Sequence, residues 1–136
     1  KDRRAFTTNA ELAQWLRNPL LEGQSLQGAL QDYLGGWMGI RFELVRAPAA
    51  LERLFFRVFQ EVAEARRELH PAQVCLSVAR SRQGWRASWD DEIGCPCRLP
   101  TLRARVAQLG GRTRLRCEGG FSLRVGMPGR HQRGYL

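Results

Sequence analysis

Three sets of residues have types and spacings that could carry chemistry. The first is the four cysteines, Cys75, Cys95, Cys97 and Cys117, which could form two disulfides, a metal site or free thiols. Four thiolates would satisfy a tetrahedral zinc ion, but Cys95 and Cys97 are spaced Cys-x-Cys rather than as the usual pair, and Cys75 and Cys117 fall inside predicted strands. Free thiols and no metal site are therefore the expectation. The second set is acidic: Asp90-Asp91-Glu92 ahead of Gly94, and Glu61 and Glu64 on a predicted helix. On spacing alone, Asp90 reads as a turn-capping aspartate at a strand end and Glu61 as a solvated helix charge. The third set is basic. From Arg98 to the end there are nine arginines against the single acid Glu118, so +8 of the net charge of +9 lies in that stretch.

Such asymmetry points to an anionic partner, whether phosphate, nucleic acid or an acidic protein surface. The arginines come without a recognition helix and without exposed aromatic residues between them, because Trp85, Trp89 and Phe121 fall on apolar faces. A solvated basic face is expected, and nucleic acid is not the expected partner. The chain has 136 residues, of which 43% are hydrophobic and 26% charged, enough for one domain with a real core. No apolar run approaches the ~20 residues of a membrane span, so a soluble globular segment is expected. Lys1-Asp2-Arg3-Arg4 is followed by no apolar signal core, which favours a reducing compartment, and a start without methionine suggests a piece of something larger.

The elements that must position these residues follow from periodicity. Thr8-Asn9-Ala10-Glu11 starts a short helix carrying Leu12, Trp15 and Leu16, and Ser25 caps a second with the stripe Leu26, Ala29, Leu30, Tyr33 and Leu34. Alternation over 40–45 predicts a half-buried strand. Pro48 opens the longest helix, with Leu51, Leu54, Phe55, Val58, Phe59 and Val62 inward, running to about Leu69. Val74, Leu76 and Val78, then Trp85, Ala87 and Trp89 across the 81–84 turn, make a hairpin. Pro100 starts a last helix, closed by Gly110-Gly111, and a second hairpin turns at Gly119-Gly120 with Arg112, Arg114, Arg116 and Arg124 on its solvent side. This order predicts an α+β fold, a two-layer α/β sandwich of a mixed β-sheet with about three helices on one face. Trp15, Trp37 and Met38 are expected to be exposed, and the tail 129–136 disordered.

Over residues 10–128 this order and several strings resemble the ATP-binding (HATPase, GHKL or Bergerat) domain of two-component sensor histidine kinases, in particular the NarX-like branch. Residues 26–42, with Leu-Gln-Gly-Ala-Leu-Gln-Asp-Tyr-Leu and Gly-Ile-Arg-Phe, look like the opening helix and strand of that domain, and 12–16 like the end of the preceding dimerisation helix. Arg57-Val58-Phe59-Gln60-Glu61 resembles the N-box helix. Asp90-Asp91-Glu92-Ile93-Gly94 resembles the Asp-x-Gly-x-Gly box, residues 102–111 the helix ending Leu-Gly-Gly, and Gly120-Phe121-Ser122-Leu123-Arg124-Val125 the last box.

The resemblance implies ATP and Mg2+ as cofactors, with Glu61 catalytic and Glu64, Asp90, Glu92, Gly94, Gly120 and Phe121 around the nucleotide. In the family an asparagine four residues after the glutamate holds Mg2+, and the first aspartate accepts the adenine amino proton. This sequence departs from the pattern at four places. Ala65, or Glu64 in another alignment, replaces the asparagine; Glu92 replaces the middle glycine; residues 95–99 replace a longer lid; and Phe121 replaces a hydroxyl residue. A weak or lost nucleotide site in a regulatory or docking domain is therefore expected, with residual ATP binding that feeds a histidine in trans left open. The implied partners are a dimer partner and a response regulator, and the implied setting is the cytoplasmic part of an inner-membrane sensor. Neither His70 nor His131 lies where the phosphoacceptor histidine would, so the chain alone should not autophosphorylate. The implied division is 1–22 for the end of the dimerisation helix and linker, 23–128 for the ATPase-like domain and 129–136 for the tail. The competing reading is a basic module that binds nucleic acid or protein and has no nucleotide role.

Overall fold

A computed structural model describes residues 8–17, 21–36 and 39–129. Trp37, Met38, His131 and the tail beyond Gly129 lie outside the described residues. The elements follow in the order α1 (Asn9–Leu16), α2 (Leu26–Leu34), β1 (Gly39–Leu44), α3 (Ala49–Arg66), β2 (Gln73–Ser81), β3 (Gly84–Asp91), α4 (Pro100–Gln108), β4 (Arg112–Arg116) and β5 (Phe121–Pro128). Local chemistry starts the helices where the sequence indicates. The Thr8 hydroxyl accepts from the Glu11 amide while the Glu11 carboxylate accepts from the Thr8 amide, a reciprocal cap. The Ser25 hydroxyl likewise accepts from the Gly28 amide at 3.0 Å. The long helix ends at Arg66 rather than near Leu69. A 3-10 turn, Arg67–Leu69, and His70 at φ 52° tighten the exit ahead of Pro71.

The five strands form one mixed sheet in the order β1-β2-β3-β5-β4, in which β1 and β2 run parallel and every other neighbouring pair is antiparallel. The parallel pair needs a crossover, and α3 supplies it. Leu76, Val78, Ala87, Trp89, Leu123 and Val125 face the helix layer, and α3 presses Leu51, Leu54, Phe55, Val58, Phe59 and Val62 onto them. The opposite face carries Arg112, Arg114, Arg116 and Arg124, all exposed, as alternation requires. The result is the two-layer α+β sandwich expected from the sequence, with α1 docked on α3 as a fourth helix. Among the described residues no helix is long and apolar enough to cross a membrane.

Candidate functional site

On β3 the inward positions are Trp85, Ala87, Trp89 and Asp91, so the carboxylate that enters the helix layer is Asp91, while Asp90 is exposed on the open face. Above Asp91 lies the last turn of α3, whose inner stripe of Phe59 and Val62 continues at Arg66. Arg66 is 0% exposed. Its Nε donates to Asp91 Oδ2 at 2.6 Å and its Nη2 to Asp91 Oδ1 at 2.9 Å, a two-pronged ion pair. The same guanidinium donates to the carbonyls of Ile93, at 2.6 Å, and Cys95, at 2.8 Å. Its carbon lies 3.8 Å from the centroid of the Phe121 ring, which closes the other side. Asp91 also accepts from Trp89 Nε1 at 2.8 Å and from the Ile93 amide at 2.9 Å.

Two charges out of water cost several kcal/mol each unless good geometry and further hydrogen bonds offset the loss, as they do at this pair. Chemically the arrangement is self-satisfied: Asp91 already holds four donors. An incoming base would find its acceptor positions occupied. The loop 92–99 is bound from inside by Arg66 through two of its carbonyls, so its course is set by the core as well as by its length.

The residues singled out in the sequence divide into two groups. Gly94, Gly120 and Phe121 gather around the ion pair: Phe121 pairs with Asp91 across the strands, and Gly94 lies against the Cys117 carbonyl and the Gly120 amide. The others point elsewhere. Glu64 is exposed on the α2 side and accepts from the Tyr33 hydroxyl. Burial, with the hydrogen bond to Glu64 next, pushes the Tyr33 hydroxyl up to about 12. Glu92 reaches the start of β2 and accepts from the amides of Ala72, at 2.6 Å, and Gln73, at 3.2 Å.

Those amides, Ala72 foremost, hold the Glu92 carboxyl below the usual carboxylate range. A depressed folded value contributes stability that is complete above the unfolded value, about 4.3, and is lost as pH falls through the lower folded one. Glu92→Gln is therefore expected to melt below the parent chain at pH 7, with the difference fading under about pH 4. A difference that stays constant from pH 7 to pH 3 would contradict this.

Glu61 takes part in docking α1. It accepts from Trp15 Nε1 at 3.1 Å and pairs with Arg105 Nη1 of α4 at 3.6 Å, while the Arg105 guanidinium covers the Trp15 ring at 4.8 Å. Arg57 donates to the carbonyls of Trp15 and Arg17 at the end of α1, where the helix dipole favours a cation. Burial lowers the Arg57 value from its ordinary one. Trp15 is thus half-buried, not exposed as expected, because Glu61 and Arg105 enclose it.

The four cysteines are free thiols. Burial pushes the Cys97 and Cys75 thiols up, away from the reactive thiolate. Among the described residues no three metal-ligating side chains come together. Asp91 is paired with Arg66, and Ala65 and Glu64, the two residues that could stand at the family's asparagine position, are exposed. A cleft of about 460 Å³ opens elsewhere, between the start of α2 and the end of β1, with Gln24, Gln31, Asp32, Arg46 and Glu52 in its walls.

Sequence reasoning missed Arg66 and Asp91. The signal was present in each element. Asp91 extends the inward series Trp85, Ala87, Trp89, and Arg66 falls four residues after Val62 on an apolar stripe. A charge on each of two buried faces calls for the other.

No family model and no curated relative matches the sequence. The fold is that of histidine kinase ATP-binding catalytic domains. Acinetobacter baumannii histidine kinase AdeS superposes with a TM-score of 0.57 at 11% identity, over 88% of this chain and 75% of that one. The ATP-binding domain of PrrB from Mycobacterium tuberculosis gives 0.56 at 23% identity, over 77% and 91%. The blue-light activated histidine kinase EL346 of Erythrobacter litoralis gives 0.59 at 14%, over 88% of this chain and 47% of that one, so this chain spans about half of its length.

Proposed function

We propose that this chain is the ATP-binding-type domain of a two-component sensor histidine kinase of the NarX-like branch, with a nucleotide site closed from within, serving as a regulatory or docking domain. The observation that carries the reading is the Arg66–Asp91 ion pair. In a fold shared with histidine kinase catalytic domains, a guanidinium saturates the one carboxylate that β3 sends into the helix layer. The departures at Ala65, Glu92, Phe121 and the shortened lid support the same reading. In the proposed division, 1–22 ends the dimerisation helix and linker, 23–128 is the ATPase-like domain and 129–136 the tail. Its partners are a dimer partner and a response regulator, and the whole protein is a membrane-anchored sensor with this domain in the cytoplasm.

Within this reading, Gly94, Gly120 and Phe121 mark the remains of the nucleotide site, while Glu61 has been turned to holding α1. Asp90 on the open face, Glu92 on the Ala72 and Gln73 amides and Glu64 on the Tyr33 hydroxyl are turned to other contacts or to solvent. The test is titration of ATP and ADP, with and without Mg2+, by calorimetry or with a fluorescent analogue. No binding up to millimolar nucleotide is expected. Micromolar, Mg2+-dependent binding would overturn the closed site and make the domain a working kinase component.

A further inference from the structure

The sheet ends at β4, and among the described residues no main-chain group of Arg112–Arg116 has a partner other than β5. An unpaired strand edge is a template for another strand. Beside that edge, Arg112, Arg114 and Arg116 project at alternate positions onto the open face, about 6.8 Å apart along the strand. Arg124 of β5 lies directly opposite Arg114. Arg112 and, from β3, Arg86 both pair with Gly126, where an added Cβ would meet nothing within 4 Å. Five exposed guanidinium groups thus surround an open floor, and none of them makes an ion pair among the described residues. Like charges directly opposite one another on a sheet are destabilising, and an anionic occupant would relieve them.

We infer that the β4 edge and its arginine row form a docking strip for an extended acidic segment of a partner polypeptide, with carboxylates at alternate positions. A strand added to β4 would place every second side chain on the open face, opposite Arg112, Arg114 and Arg116. The intervening side chains would meet half-buried Thr113 and Leu115, so they are apolar or β-branched. Only a polypeptide uses both the main-chain edge and the charges. Single-stranded nucleic acid would stack on aromatic rings, but Trp85, Trp89 and Phe121 are buried on the helix side. A five-stranded face does not enter a duplex groove that admits a helix or a two-stranded ribbon. A second copy of β4 would set arginine against arginine. The inference is independent of whether nucleotide binds on the other side of the sheet.

The test uses a fluorescently labelled, end-capped peptide Ser-Glu-Val-Glu-Val-Glu-Ser and fluorescence polarisation with the whole chain. Three controls accompany it: the same residues with the glutamates consecutive, the alternating peptide N-methylated on alternate amides, and a mixed-sequence DNA duplex. The alternating peptide is expected to bind, and the reordered and N-methylated peptides to bind about tenfold more weakly. Arg112→Glu with Arg114→Glu is expected to weaken the alternating peptide at least about tenfold while thermal melting confirms an intact fold. If that pair of substitutions unfolds the chain, Arg114→Gln, which removes one charge on the exposed side, serves in its place. The inference fails if the alternating peptide does not bind, or if all three peptides bind equally. It also fails if the duplex alone binds, with steep salt dependence.

Discussion

Asp91→Ala is expected to destabilise the chain by about 3–5 kcal/mol, because it leaves the Arg66 guanidinium buried with two carbonyls and an aromatic face but no counter-charge. For a domain of this size that corresponds to a fall in Tm of roughly 10 °C or more. Arg66→Met should be similarly severe, since Asp91 keeps only Trp89 Nε1 and the Ile93 amide as donors. The informative variant is the double substitution, Arg66→Met with Asp91→Leu. It removes both charges and should recover a large part of the loss, because apolar side chains of similar volume commonly replace a buried pair at little cost. Urea unfolding of the parent chain, Arg66→Met, Asp91→Leu and the double variant gives the coupling directly. Single variants that lose under about 1 kcal/mol would show that water reaches the pair and that the site is open.

Gly120→Ala is the second large effect. Gly120 sits at φ +156°, and an added Cβ would lie 2.7 Å from the Asp91 carbonyl oxygen, a backbone atom with little room to move. The expected loss is roughly 2–3 kcal/mol, and the ion pair should loosen with it, since Asp91 must shift. The adjacent Gly119 is the comparison. It also has positive φ, +70°, but open space around it, so Gly119→Ala should cost only about 1 kcal/mol and Gly119→Asn less. Equal losses at 119 and 120 would mean that the contact with Asp91 plays no part. The glycine that the family resemblance assigns to nucleotide binding thus has a sufficient structural reason to be glycine in the turn between β4 and β5.

Much of the frame was legible in the sequence because its signals are local. The caps at Thr8 and Ser25, the Pro100 start of α4, the Gly119-Gly120 turn and the two hairpins each depend on residues within a turn or a strand of one another. The arginine face was legible for the same reason: a period of two sends Arg112, Arg114 and Arg116 to one side whatever the sheet packs against. The site was legible only in part. Matching strings drew attention to Asp90, although alternation from Trp85 and Trp89 assigns the inward place to Asp91.

Composition and periodicity by themselves determined the α+β class, the order of the elements, and which face of each would be apolar or basic. Tertiary structure alone decided which charges meet. Arg66 and Asp91 are 25 residues apart, Glu61 and Trp15 are 46 apart, and Glu92 finds the Ala72 amide across 20. Such pairings depend on strand register and on where a helix crosses the sheet, shifts of a few ångströms that no local pattern encodes. At those distances a carboxylate is either a free acceptor or a saturated one, and the approach of Arg66 to Asp91 makes this one saturated.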